Sequence, residues 1–331
     1  MTQNKTIHLN KVLEEHAQDM TNKVVAITGT TSGTGFVFAR EVAKKGATVL
    51  LLNRTSARSE NSYKQLTEAV PNGKFEAIAC DLQDLESVKK AAEKIKSEYN
   101  VLDVLVNNAG IMAVKDEATK DGYDVQMQTN AISHFLLTKE LYPLLKNSSE
   151  ARVINQTSLS RLGGPLKSAY FEKNGGNLGG NGTVEETANF QGARWERYHQ
   201  TKLANATFTY GLKKKLSEAN VKNIISLLAH PGVAITNLQS TSSKTGGMDV
   251  NGGVMSQAQS AEDGAAGIIR AAMDKEAKSG DFYGPTEGVS GFPNLLEPEE
   301  LLFDASNVAI NWNGCEKAVG EYKITNGWSF L

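Results

Sequence analysis

From Lys23 onward, short β-branched and leucine-rich runs alternate with longer helix-like stretches, and few architectures accept that alternation. The runs are VVAIT (24–28), TVLLL (48–52), FEAIAC (75–80), VLVN (104–107), RVINQT (152–157) and IISLLA (224–229). Apolar runs of this length suit strands buried on both faces, and the helical stretches between them supply the crossovers that parallel pairing requires. The pattern predicts a doubly wound parallel sheet with helices on both faces, a three-layer α/β/α fold. Three stretches stand outside the rhythm: a polar extension at 1–22, with a helix around LNKVLEEHAQDM that packs outside or frays, and two Gly- and Ser-rich excursions at 159–194 and 236–260. The expected organisation is one domain over 23–331 carrying both excursions, since open α/β folds reach this length as a single unit.

A formal net charge of -2 over 331 residues offers no basic field for a phosphate backbone, so nucleic acid is not expected as a partner and a small molecule is. Cys80 and Cys315 are the only cysteines, far apart in the chain, which argues against a disulfide framework and for a reducing compartment. The five histidines show no metal-ligand spacing, so no metal site is expected. No signal-like segment opens the chain and no long apolar run follows, which predicts a soluble, cytoplasmic protein without a membrane span.

The first run leads straight into TGTTSGTG (28–35) and a helix-like segment. Gly29, Gly33 and Gly35 allow a tight turn close to a pyrophosphate, Thr31 and Ser32 lie within that turn, and the next helix offers free N–H groups. A dinucleotide site of the Rossmann type is expected there. NAD enzymes place a carboxylate at the end of the second strand for the ribose 2′-hydroxyl. Here Asn53 stands in that place with Arg54 beside it and Arg58 nearby. Guanidinium groups suit forked phosphate contacts, so NADP(H) is favoured over NAD(H); the bland reading leaves both arginines solvated on a loop.

One further pattern, Y-x-x-x-K, occurs three times: Tyr142/Lys146, Tyr198/Lys202 and Tyr210/Lys214. Spacing alone does not choose among them.

In order along the chain, TGTTSGTG, the Cys80-Asp81-Leu82 step, NNAG (107–110), Asn130 in QTNAISHFLLT, Ser158 in RVINQTS, YHQTK (198–202) and HPG (230–232) resemble the short-chain dehydrogenase/reductase family, most closely its retinol-dehydrogenase-like branch. NWNGCEKAVG near the C-terminus is similar to that branch's closing helix. The resemblance implies an oxidoreductase of the CH–OH/C=O class and a catalytic set of Asn130, Ser158, Tyr198 and Lys202. Tyr142 precedes the strand that delivers Ser158, the wrong side for the family. Tyr210 lies twelve residues beyond Tyr198, about 18 Å further along one helix, near the solvated Lys213–Lys215.

In the implied mechanism Tyr198 gives a proton to the carbonyl oxygen while the nicotinamide gives hydride to carbon. Lys202 favours phenolate and bonds the nicotinamide ribose, Ser158 stabilises the developing charge, and Asn130 holds a water that relays protons. The resemblance also places Asp81 and Leu82 by the adenine, and Asn108, Ala109 and Gly110 along the adenosine. Pro231, Gly232 and Thr236 would line the nicotinamide and diphosphate, with His230 shaping that turn. Ser158 and Tyr198 stand 40 positions apart, further than in most of the family, because the intervening residues loop out. That loop would roof the substrate pocket with Leu162, Leu166, Tyr170, Phe171, Phe190 and Trp195, which suits a hydrophobic carbonyl or alcohol; the alternative makes them the loop's own small core. Homo-oligomers are common in the family. A non-catalytic dinucleotide-binding regulator and an epimerase or dehydratase on the same scaffold are the rival functions.

Overall fold

The computed structural model describes residues 6–248 and 253–325; residues 1–5 of the expected extension and 249–252 of the second excursion lie outside the described residues. Eight strands form one sheet: β1 (Val24–Thr28), β2 (Thr48–Asn53), β3 (Lys74–Ala79), β4 (Val104–Asn107), β5 (Ala151–Gln156), β6 (Ile224–Ala229), β7 (Phe282–Pro285) and β8 (Pro293–Leu296). Their order across the sheet is β3-β2-β1-β4-β5-β6-β7-β8. All neighbours pair in parallel except β7 with β8, which are antiparallel. The apolar runs anticipated the first six strands. The last two are only four residues each and carry Pro and Gly, so no run announced them.

The connecting helices are α1 (His8–Glu15), α2 (Gly33–Lys44), α3 (Ala57–Ala69), α4 (Leu85–Glu98), α5 (Val125–Met127), α6 (Ser133–Asn147), α7 (Val184–Ala188), α8 (Ala193–Glu218), α9 (Asn237–Lys244), α10 (Ala261–Met273), α11 (Glu300–Phe303) and α12 (Ala305–Val319). Strand alternation divides the interior into two cores. Val25 and Ile27 of β1, with Val49 and Leu51 of β2, pack against α2 and α10 through Phe38, Ile268 and Ile269. Ala26, Leu50 and Leu52 point the other way, into the layer of α4, α6, α8 and α12 built on Phe135, Phe208 and Trp312.

The N-terminal extension does not fray: α1 buries Leu9 and Val12 in the core shared with α2 and α10. It has no side-chain cap of its own. Instead the buried Asp263 carboxylate accepts the backbone N–H groups of Ile7, His8 and Leu9 at 2.8–3.1 Å, satisfying donors that a helix start leaves open.

The insertion after β5 also differs from expectation. Leu166, Tyr170 and Phe171 join the main core on the α12 side rather than a roof. Phe171 lies so close to Gly314 that a Cβ there would come within 2.6 Å of its ring. The glycine-rich part is tied down by Arg197, whose buried guanidinium donates to the carbonyls of Leu178 and Gly180 at 2.9 and 2.7 Å. Asp116 accepts the N–H groups of the same two residues, and Arg197 faces Asp116 and Asp124 at 3.7 and 3.4 Å.

Candidate active site

Strand order reverses at β1, whose neighbours are β2 and β4, so the loops leaving β1 and β4 diverge and open a crevice at the carboxyl edge of the sheet. The Thr28–Gly35 turn enters it. Gly29 has φ +75°, and a Cβ on it would sit 2.8 Å from that of Ala109; at Gly35 a Cβ would sit 2.2 Å from the Gly29 carbonyl oxygen. Only glycine permits this approach of turn to strand end. Asn108 braces the turn by donating its amide to the carbonyls of Thr28 and Gly29 at 2.8 and 3.1 Å. Ser32 starts α2 without a side-chain cap, which leaves the first N–H groups of that helix available to an anion.

Other predicted cofactor residues frame the crevice. Thr31, Ser32 and Gly33 line a cavity of about 430 Å³ with Arg40, Arg58 and Asn237. Thr236 closes against the turn from the other side, since a Cβ on Gly33 would meet its methyl at 2.9 Å. Pro231 and Gly232 precede it in the loop after β6, where His230 Nδ1 accepts the Gly232 N–H at 3.1 Å, a turn-shaping role. Asp81 holds its own turn through the Gln83 N–H, and Leu82 is buried beneath. Asn53 is committed: its amide oxygen accepts the Thr30 N–H and its amide nitrogen donates to the Thr30 hydroxyl, at 2.8 and 2.7 Å. Arg54 next to it is exposed.

Tyr198 and Lys202 project from the first third of α8, 3 % and 5 % exposed. The Lys202 ammonium lies 5.8 Å from the centre of the Tyr198 ring and donates to the Gln156 carbonyl at 3.2 Å. Ser158, two residues past the end of β5, hydrogen-bonds the Tyr198 phenol. Thr157 beside it is spent on the Lys202 carbonyl at 2.7 Å, which leaves Ser158 as the hydroxyl facing the phenol. Arg161 donates to the Ser158 carbonyl at 3.1 Å, pairs with Glu299 and lies over the Phe282 ring. Asn130 sits in a π-helical stretch, Gln128–Ile132, between α5 and α6. Its carboxamide is consumed by both backbone groups of Ile111 at 2.9 Å and by the Thr201 hydroxyl at 3.0 Å. The carboxamide is thus spent within the protein, and the backbone carbonyl of Asn130 faces His134 Nδ1 at 2.9 Å.

Burial pushes the Tyr198 phenol above its ordinary value, with partial relief from Ser158. Burial also pulls Lys202 down to about 8. The other two Tyr/Lys pairs are structural. Tyr142 donates to the Thr325 carbonyl, and Tyr210 packs on Phe303 while Lys214 pairs with Glu218.

Around Tyr198 stands an apolar wall of Met112, Ala113, Trp195 and Met248, with Leu238 and Met255 packed on it. Trp195 meets Tyr198 edge-on at 5.7 Å, and Phe190 covers Trp195 at 4.9 Å. Of the six expected roof residues, Phe190 and Trp195 thus lie by the site, while Leu162 is exposed. The methionines went unnoticed in the sequence because they come from separate segments. Gln156 was missed too, although a glutamine in an apolar strand was a signal: its side chain donates to Thr34 and Asn108 at 3.0 and 2.8 Å. Among the described residues, no group of His, Cys, Asp and Glu could hold a metal ion, and no helix is long and apolar enough to cross a membrane.

The family model for short chain dehydrogenase matches residues 23–171. An uncharacterized oxidoreductase of Schizosaccharomyces pombe is 36 % identical over 66 % of this chain and 62 % of its own length. Retinol dehydrogenase 12 of Mus musculus is 32 % identical over 65 % of this chain and 63 % of its own. The chain thus spans less than two thirds of these curated relatives. The crystal structure of an uncharacterized protein from Mycobacterium Paratuberculosis superposes with a TM-score of 0.70 and 30 % identity, over 93 % of this chain and 97 % of that one.

Proposed function

We propose, because this chain belongs to the short-chain dehydrogenase/reductase family, that it is an oxidoreductase interconverting a carbonyl and an alcohol, with NADP(H) as cofactor and a hydrophobic small molecule as substrate. The observation that carries this reading is the meeting of Ser158, Tyr198 and Lys202 in a buried site, against a methionine- and tryptophan-lined wall at the carboxyl edge of the sheet. The cradle fits a dinucleotide: glycines where any Cβ would collide, and a helix start with open N–H groups. Gly29, Thr31, Ser32, Gly33 and Gly35 would hold the diphosphate, and Pro231, Gly232 and Thr236 the nicotinamide end. The cofactor supplies hydride when bound.

The protein's own groups manage the proton. Burial keeps the Tyr198 Oη–H intact at neutral pH, so the phenol is ready to protonate the carbonyl oxygen, and Ser158 steadies the oxygen that gains charge. Lys202, near neutrality in its proton equilibrium, returns a proton toward Tyr198, and the Asn130 carbonyl would orient the water that resupplies it. NADP(H) is favoured because Asn53 is occupied with Thr30 and no carboxylate stands at the end of β2, while Arg58 lines the cavity beside Thr31 and Ser32 and Arg54 stands exposed next to Asn53.

Titration with NADPH and NADH, followed by nicotinamide fluorescence, tests the cofactor. NADPH should bind more tightly, and Arg54→Ala and Arg58→Ala should each weaken it about tenfold, the worth of a charged hydrogen bond. Tighter NADH binding would overturn the preference. Reduction of long-chain aldehydes such as decanal should vanish in Tyr198→Phe while NADPH still binds; unchanged turnover in that variant would refute the mechanism.

A further inference from the structure

His134 lies one helical turn after Asn130, buried between α6 and the end of β1. Its Nδ1 is 2.9 Å from the Asn130 carbonyl oxygen and its Nε2 is 2.9 Å from the Thr28 hydroxyl. A carbonyl oxygen only accepts, so Nδ1 carries the proton. A neutral ring then has only an acceptor at Nε2, so the Thr28 hydroxyl donates to it. That leaves the Thr28 oxygen as the acceptor for the backbone N–H groups of Asn108 and Ala109, at 3.1 and 3.0 Å. Every donor and acceptor in the chain has one partner sense, and no other arrangement of protons satisfies it. Burial, with a contribution from the Lys202 charge, holds His134 down at about 4, so the ring stays neutral and the sense of the chain does not reverse at ordinary pH.

The two ends of this chain are functional. One is the Asn130 carbonyl in the π-helical stretch; the other is the junction of the glycine turn with the β4 loop that cradles the dinucleotide. Building on the oxidoreductase reading, we propose that His134 is a positioning residue that fixes the cofactor turn and the Asn130 carbonyl relative to each other, through opposite edges of one imidazole.

The two edges can be removed separately. The amide nitrogen of asparagine overlies imidazole Nδ1, and the amide of glutamine reaches the place of Nε2. His134→Asn keeps the bond to Asn130 and loses Thr28; His134→Gln keeps Thr28 and loses Asn130. NADPH titration should show the Kd raised about fivefold in His134→Asn and less in His134→Gln, the loss of one buried neutral hydrogen bond. With decanal, the fall in kcat should be the larger effect in His134→Gln, so the two variants cross over. Thr28→Val, which also strips the acceptor from the Asn108 and Ala109 N–H groups, should raise the Kd at least as much as His134→Asn, and the two changes together should fall short of their sum. Should the variants differ from the native protein only in Tm, or shift Kd and kcat in the same proportion, His134 is a core residue and the proposal fails. NMR of isotope-labelled histidine rings reads the native protein without turnover. His134 should show the Nδ1–H tautomer and titrate only near pH 4, whereas His230, accepting at Nδ1, should show the opposite tautomer. An Nε2–H ring at 134 overturns the proposal. A native protein that binds no NADPH would instead refute the oxidoreductase reading, which separates the two failures.

Discussion

Lys202 costs the fold stability, and removing its charge should reveal how much. Its proton equilibrium falls from the ordinary 10.5 to about 8, entirely through burial. At about 1.4 kcal/mol for each tenfold change, holding the cation in this site costs on the order of 3 kcal/mol. The sign follows from linkage. A base whose folded-state pKa lies below its unfolded value weighs against the fold wherever both states are protonated, so the full cost stands below about pH 8 and fades as pH rises toward 10.5. Methionine matches the length of the lysine stem, and the Gln156 carbonyl that accepts from Lys202 keeps its second donor, Asn205 at 3.1 Å. Lys202→Met should therefore raise Tm at pH 7 by about 5 °C, taking about 2 °C per kcal/mol for a chain of this size, while carbonyl reduction is lost. Calorimetry of both proteins between about pH 6.5 and 9.5 should show the gap narrowing at the alkaline end. A variant less stable than the native protein at pH 7, or a gap that does not change with pH, would refute the reasoning.

Arg197→Met removes the cation facing Asp116 and Asp124 and frees two carbonyls of the glycine-rich loop. Denaturant unfolding should show a loss of about 3–5 kcal/mol, as for a buried charge left without its partner. Burial already pushes Asp124 up to about 6; losing the guanidinium raises it further, so the deficit of Arg197→Met should shrink as pH falls toward about 6, and a deficit independent of pH would contradict that. Asp263→Ala strips the cap from α1 and should cost about 1–2 kcal/mol. Limited proteolysis should then cut within residues 1–22 first; cleavage no faster than in the native protein would show that burial of Leu9 and Val12 alone holds the helix.

The parts of this protein legible in its sequence are those where a local pattern carries the physics. Six strands were visible because each is a short run rich in apolar and β-branched residues that needs no partner to be recognised, and the glycine turn because only Gly29 and Gly35 tolerate the approach of Ala109 and the Gly29 carbonyl. β7 and β8 were not, since four-residue strands containing Pro285 and Pro293 read as turns. The packing of α1 was hidden because its cap, Asp263, lies more than 250 residues away. The bonds of Asn53 were hidden for a different reason: position at the end of β2 identifies the residue, but only the fold shows that Thr30 already occupies its amide. Likewise the i and i+4 spacing of Tyr198 and Lys202 announces a shared face but not the depth of burial that raises the proton affinity of the phenol.

The separation of 40 positions between Ser158 and Tyr198 then finds its explanation in bonds that bypass the insertion. The Thr157 hydroxyl holds the Lys202 carbonyl, and the Gln156 carbonyl holds both Lys202 and Asn205, so the end of β5 is fastened directly to the face of α8 that bears Tyr198 and Lys202. Neither contact involves residues 159–194. The insertion is fastened to the same helix by other bonds: the Lys167 N–H donates to the Gln200 side-chain oxygen and the Gln200 amide donates to the Pro165 carbonyl, at 2.8 and 2.9 Å, while Arg197 holds the glycine-rich segment and the Leu166 N–H donates to Asn307 of α12. The strand-to-helix and insertion-to-helix bonds thus use different groups of α8. Changes at Phe190, which covers Trp195 and through it Tyr198, should therefore alter what sits over the phenol before they alter the spacing of Ser158, Tyr198 and Lys202.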